Sequence, residues 1–294
     1  MILGVLLSII SSILFGALFF FSTLLEPLEE DTIFGWRIIT TLPFVTLFIF
    51  VNQSSRIVCK NFLRLKKNPL LIFPIIFSSC FIGYQLWLFL WAPLNNKAIE
   101  ISLGYFILPL VMVIAGKLFF REKLSFWQKL AALSSLICVL NVIIYNGTFS
   151  FEVISISFGY PFYFWLKKKF YLNNLTGLWI ELVLLVPISI WFITNGNLNN
   201  ELIQKYPKFY YLIPLLGFVS ACALASYFLA LKILNLSLLG LLGYIEPILM
   251  LLVGFLIGEK ISSSELLTYI AIWFALIFLI IEGILYFYKK KIHY

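Results

Sequence analysis

One stretch of this chain is written twice. The first copy reads Gly104-Tyr105-Phe106-Ile107-Leu108-Pro109, runs through apolar residues to Gly116 and ends in Glu122-Lys123-Leu124-Ser125. The second reads Gly243-Tyr244-Ile245-Glu246-Pro247, passes Gly254 and ends in Glu259-Lys260-Ile261-Ser262. Aligned on their prolines, the copies also share Met112 with Met250, and the Glu-Lys pair slips by one residue. A shorter echo opens each half, with Ser12, Phe15 and Gly16 answered by Ser155, Phe158 and Gly159. The pattern divides the chain into two related halves, 1–147 and 148–294.

The solvent of those halves follows from composition. With 62% hydrophobic and 12% charged residues, 294 residues do not carry enough polar groups to coat a soluble fold. Apolar runs match the roughly 20 residues a helix needs to cross the hydrocarbon, whereas barrel strands would be about half as long and would alternate. The runs predict an all-α integral membrane protein with ten transmembrane helices, near 2–25, 33–51, 70–92, 98–120, 126–145, 149–166, 175–194, 209–231, 237–257 and 266–288.

Lysine and arginine are retained on the cytoplasmic side more strictly than acids, so loop charges orient the bundle. With the N-terminus inside, sixteen cations fall in cytoplasmic segments, among them Arg56, Lys60, Arg64, Lys66 and Lys67 in one loop and Lys167, Lys168 and Lys169 in another. Only Lys97, Lys205, Lys208 and Lys260 fall outside, where Glu26, Glu29, Glu30 and Asp31 also lie. Both termini are thus expected in the cytoplasm. The net charge of +8 is then an orientation signal made of solvated loop ends, and no basic soluble domain exists to bind nucleic acid.

Five crossings per half set the two halves in opposite senses. Inverted repeats recur in secondary transporters, because two related halves can exchange conformations around a site at the bilayer midplane. The fold alone does not establish that function, so the site must carry the argument.

The residues also resemble a family. Asn95, Asn96 and Glu100, the run from Ser102 through Gly104-Tyr105-Phe106 to Pro109, and Glu122-Lys123-Leu124-Ser125 resemble the fourth-helix region of RarD-type permeases, a branch of the EamA group in the drug/metabolite transporter superfamily. Trp36-Arg37-Ile38, Gly177-Leu178 with Glu181 and Pro187, Leu239-Gly240 through Pro247, and Trp273 extend the likeness over nearly the whole chain. Leu108, Pro93 and Glu246 depart from the pattern, and Glu246-Pro247 is closer to the general EamA motif. The resemblance implies a ten-helix inner-membrane permease for amino acids, metabolites or drugs.

Charges inside the bilayer mark candidate sites, since each costs at least about 2.5–3.5 kcal/mol at the centre unless paired or wet. Glu246 is near the middle of the ninth crossing, beside Pro247, whose missing N–H frees a carbonyl at the same depth. Glu181 is about two turns into the seventh crossing and Arg37 about one turn into the second. Glu282 reaches interfacial water and serves as an anchor. Arg37 has a bland alternative as half of a structural ion pair or as a snorkelling side chain. Tyr84, Gln85, Trp87, Tyr105, Tyr160, Tyr227 and Tyr244 lie within helices, where a buried polar tip needs a partner. Together these residues suggest a pocket for an amphipathic or zwitterionic solute, with Arg37 for a carboxylate and Glu246 for an amine or a proton. Pro109 and Pro247 are candidate hinges at corresponding depths.

Catalysis finds little footing. The single histidine, His293, lies in the terminal tail, so neither a metal site nor a histidine dyad forms within the membrane. Cys59, Cys80, Cys138 and Cys222 have no paired spacing and read as small apolar packers. No Walker loop or dinucleotide fingerprint occurs, so no cofactor is expected. The first crossing has no small-residue cleavage site and reads as a retained helix. A small solute, possible coupling protons and lipid are the expected partners. The readings left open are a secondary transporter, a membrane scaffold or sensor, and a membrane-embedded enzyme.

Overall fold

The computed structural model describes residues 2–51, 55–121, 124–146, 150–198, 200–234 and 236–258, with scattered positions between 267 and 281. The Glu-Lys ends of both repeat copies, most of the tenth crossing and Glu282 lie outside the described residues. Everything described with regular structure is helical: α1 (Ile2–Leu24), α2 (Glu30–Val51), α3 (Ser55–Lys67), α4 (Ile72–Leu94), α5 (Ala98–Phe120), α6 (Phe126–Asn146), α7 (Phe151–Lys169), α8 (Leu175–Asn195), α9 (Asn200–Lys205), α10 (Phe209–Ile233), α11 (Leu236–Leu242) and α12 (Ile245–Leu256).

Seven of the described segments are long and apolar enough to cross a membrane, formed by α1, α2, α4, α5, α8, α10 and the α11–α12 stretch. The protein is therefore an integral membrane protein, with exposed Leu3, Phe50, Phe73, Leu118 and Phe158 supplying the surface that lipid requires. Helix α7 has the length of a crossing but carries Glu152 in its first turn and Lys167, Lys168 and Lys169 in its last.

The segment expected as a cation-rich loop contains α3. Its hydrophobic positions Val58, Phe62 and Leu65 recur at helical spacing between Arg56, Lys60, Arg64 and Lys67. The Arg64 Nη1 donates to the Phe170 carbonyl at 2.9 Å, and Asn61 Nδ2 donates to Thr176 Oγ1 at 3.0 Å. These bonds tie α3 to the turn between α7 and α8. At the other end of the bundle, Lys208 Nζ donates to the Leu24 carbonyl at 2.7 Å, and Asn197 bridges Glu29 and Pro27.

Helices pack in pairs drawn from both halves. α1 lies on α10 and α12, α2 on α8 and α10, α5 on α7, α11 and α12, and α4 on α7 and α8. α5 is the most enclosed, with Leu103, Tyr105, Phe106 and Met112 all buried. Close approach depends on glycine at several crossings. At Gly35 an added Cβ would lie 2.7 Å from the Ser189 carbonyl, and at Gly83 it would lie 2.7 Å from Leu185.

The two repeat copies differ in how their helices run. α5 runs unbroken through Pro109, whereas the ninth crossing is interrupted at Gly243 and Tyr244 between α11 and α12. The cause lies in spacing. Four residues before Pro109 stands Tyr105; four before Pro247 stands Gly243. A proline removes the donor for the carbonyl four residues back and crowds that turn, and glycine there lets the chain yield. The Gly243 carbonyl instead accepts from Glu246 N at 3.1 Å, while Gly243 N donates to Gly240 O at 2.9 Å. Gly243 N also reaches the Leu239 carbonyl at 3.1 Å, so its N–H is shared between a three- and a four-residue bond, and the helix tightens and breaks there.

Candidate solute-binding site

Where the helices converge, a small cavity is lined by Phe15 of α1, Ile82 and Leu86 of α4, Tyr105 and Leu108 of α5, Tyr160, Tyr163 and Phe164 of α7, Leu224, Tyr227 and Phe228 of α10, and Glu246 of α12. Its volume is about 40 Å³, against about 300–1,000 Å³ for a typical small-molecule site. The cavity is too small for a solute of that class in this conformation.

The cavity wall is aromatic and internally bonded. Tyr105 and Tyr160 share a hydroxyl-to-hydroxyl hydrogen bond at 3.2 Å. Tyr160 stacks on Phe164 at 6.0 Å, and Phe164 stacks on Tyr227 at 5.3 Å. Such a wall suits a flat or alkyl body and supplies hydroxyls at its edges.

Glu246 supplies the charge. The break in the ninth crossing sets this residue in the first turn of α12, facing the cavity. Its carboxylate makes no hydrogen bond or ion pair among the described residues. A free carboxylate at this depth is costly unless a proton, water or cation meets it.

Arg37 sits just behind that wall. It is fully buried, donates from Nε to Ser220 Oγ at 2.9 Å and from Nη1 to the Leu86 carbonyl at 3.4 Å, and lies 5.4 Å from the Phe89 ring centroid. Its Nη2 has no partner. The guanidinium and the Glu246 carboxylate interact electrostatically but do not form an ion pair. Arg37 is thus neither snorkelling nor paired with an acid among the described residues, and it keeps one fork nitrogen unused.

The remaining expected site residues separate. Tyr105, Tyr160, Tyr227 and Glu246 share the cavity. Glu181 does not line it; it is bound by Lys167, Tyr163 and Ser78. Tyr84 and Gln85 face an outer groove of about 720 Å³ between α4, α5 and α7. Trp87 faces another outer groove, of about 510 Å³, and donates to Asp31 Oδ1 at 2.6 Å. Gln85 Nε2 donates to the Ser155 carbonyl at 2.6 Å, closing the seam between α4 and α7. Tyr244 is fully buried in a separate apolar cluster with Leu103, Phe106 and Ile107.

Lys167 corrects the reading of the lysine run. It was expected as a solvated loop end, yet its side chain is 0% exposed and its Nζ lies 2.9 Å from Glu181 Oε2. The available signal was spacing: Tyr160, Tyr163 and Lys167 recur at three and four residues, on one helical face.

No family model matches the chain. Among curated proteins, it is 43% identical over 284 residues to an uncharacterized transporter of Pasteurella multocida, covering 97% of both chains. An uncharacterized transporter of Haemophilus influenzae is 37% identical over 290 residues, covering 99% of this chain and 97% of its own. The chloramphenicol-sensitive protein RarD of Pseudomonas aeruginosa is 32% identical over 275 residues, covering 93% and 92% respectively.

Proposed function

The chain belongs to the RarD-type permeases, and from that premise we propose that it carries a small amphipathic solute by alternating access. The solute is zwitterionic or amine-bearing, an amino-acid-like metabolite or a drug of that character. Ten crossings form two inverted halves, 1–147 and 148–294, with both termini in the cytoplasm.

The observation that carries this reading is the Glu246 carboxylate, unpaired among the described residues, in a narrow aromatic cavity, with the unused Arg37 Nη2 behind its wall. Opposite charges set apart by aromatic rings match a solute with both charges and an apolar body. Glu246 can hold an amine or exchange a proton for it. Because the cavity is too small for any such solute, loading requires the helices to part.

The packing supports two exchangeable halves. Exchanging each helix for its counterpart, α1 with α7, α2 with α8, α4 with α10 and α5 with the broken ninth crossing, turns the α1–α10 contact into α7–α4 and the α2–α10 contact into α8–α4. It likewise turns α5–α7 into α12–α1. The cavity draws on α1, α4 and α5 from one half and their three counterparts from the other.

The test is uptake of radiolabelled neutral, cationic and zwitterionic amphipaths into proteoliposomes, with and without a pH gradient. Saturable flux of one class, abolished in Glu246→Ala, is expected. Absence of saturable flux across all three classes would overturn the reading.

A further inference from the structure

The most heavily bonded carboxylate among the described residues lies beyond the cavity, not in it. Glu181 of α8 accepts from Lys167 Nζ at 2.9 Å, from the Tyr163 hydroxyl at 2.7 Å and from Ser78 Oγ. The Lys167 and Glu181 side chains are 0% and 1% exposed. Two neighbours of this cluster also line the cavity: Tyr163 itself, and Phe228, whose ring centroid is 5.3 Å from Lys167 Nζ. The ion pair therefore lies directly behind the cavity wall, at the end where α7 stops and α8 begins.

A second observation gives the pair a counterpart. Glu181 on α8 bonds Ser78 on α4; Arg37 on α2 bonds Ser220 on α10. Exchanging the halves carries α8 to α2 and α4 to α10, and the residues correspond along the chain to within about two positions. Each half thus places one buried charge on its second crossing, held by a serine on the other half's third. The α8 charge has an ionic partner, whereas the α2 charge has a nitrogen to spare.

We propose that Lys167 and Glu181 form the gate on the α7–α8 side of the cavity, the side that the charge pattern assigns to the cytoplasm. The proposal rests on the transport reading. The pair is closed in this structure and separates when the cavity opens to that side. An ion pair suits this task better than an apolar seal. Its Coulomb gain when closed is largely offset by desolvation, and both charges regain water when open, so the two states stay close in energy. Gly177 permits the closed form, since a Cβ there would lie 3.1 Å from Lys167 Nζ and would collide with the Leu172 carbonyl.

The experiment is a double-mutant cycle read by labelling. In full-length protein with Cys59, Cys80, Cys138 and Cys222 changed to alanine, Leu224→Cys places a thiol in the cavity wall. A membrane-impermeant maleimide is applied to inside-out and right-side-out vesicles, and each variant's folded fraction is fixed by its melting profile. Lys167→Met and Glu181→Gln should each speed labelling from the cytoplasmic side about tenfold, within the range of one lost charge-assisted hydrogen bond. The double variant should label more slowly than either single one, because no unpaired charge remains. Unchanged labelling in both folded single variants, or acceleration from the opposite side, would overturn the gate. Flux measured on the same preparations separates the two ideas. Parent protein that moves no solute while the labelling cycle holds sinks transport and leaves the gate, and normal flux with a flat cycle does the reverse.

Discussion

Arg37 Nε lies 2.9 Å from Ser220 Oγ, and the far nitrogen of the same guanidinium has no partner among the described residues. One donor of this group joins α2 to α10 and another reaches the Leu86 carbonyl on α4, while Nη2 is buried and unused among the described residues. Lysine keeps the charge but not the planar fork that holds one donor to serine while offering another. Arg37→Lys should therefore raise the KM for a carboxylate-bearing solute about tenfold, with kcat altered much less. Flux kinetics in proteoliposomes read the split, and equal losses in KM and kcat would argue against carboxylate recognition.

Glu246→Gln keeps volume and hydrogen bonding while fixing the neutral form. The variant should insert and bind solute but lose the dependence of flux on a pH gradient. If gradient-driven flux survives intact, the carboxylate does not carry the proton.

The prolines should now behave unequally. Pro247→Ala restores a donor for the Gly243 carbonyl, so the ninth crossing can close its ladder and stiffen; turnover should fall several-fold, with little change in solute affinity. Pro109→Ala acts on a helix that is already continuous and should change turnover less. Equal effects would show that the break plays no part in motion.

Gly177→Ala tests the tight join of α7 to α8. Its Cβ would collide with a backbone carbonyl, which cannot swing aside as a side chain can. A loss of about 1–3 kcal/mol is expected, visible as a lower melting temperature in detergent.

Cysteines placed at Asp31 and Ser262 should react with an impermeant reagent from outside the cell, and those at Lys66 and Lys168 should not. The sixteen-to-four division of loop cations motivates this. Labelling of Ser262 from the cytoplasm would break the inverted arrangement.

Glu246 was legible in the sequence because a carboxylate in an apolar run, next to a proline, has few structural excuses. Lys167 was not, because three consecutive lysines also spell a cytoplasmic loop end, and only the last turns of α7 decide which of them turns inward. Tyr84, Gln85 and Trp87 were grouped with the pocket from their position within helices, and position along a helix does not fix rotation. α4 is apolar around most of its circumference, so no polar stripe indicated that Ile82 and Leu86 face the cavity while Tyr84 and Gln85 line the outer groove against α7. Helix α3 was hidden by its own charges, which announced a loop more loudly than its spaced apolar residues announced a helix.

The interruption at Gly243 and Tyr244 has no twin in α5, so in the proposed exchange the two halves would not trade places as equals. Bending a crossing that is already open takes less work than bending an intact one, and the two end points of the cycle inherit that difference. About 1.4 kcal/mol between them would hold ten molecules on one side for each on the other. Under the proposed alternating access, a one-residue change in the distance from glycine to proline would give the carrier a resting side, written into the chain before any solute or gradient acts on it.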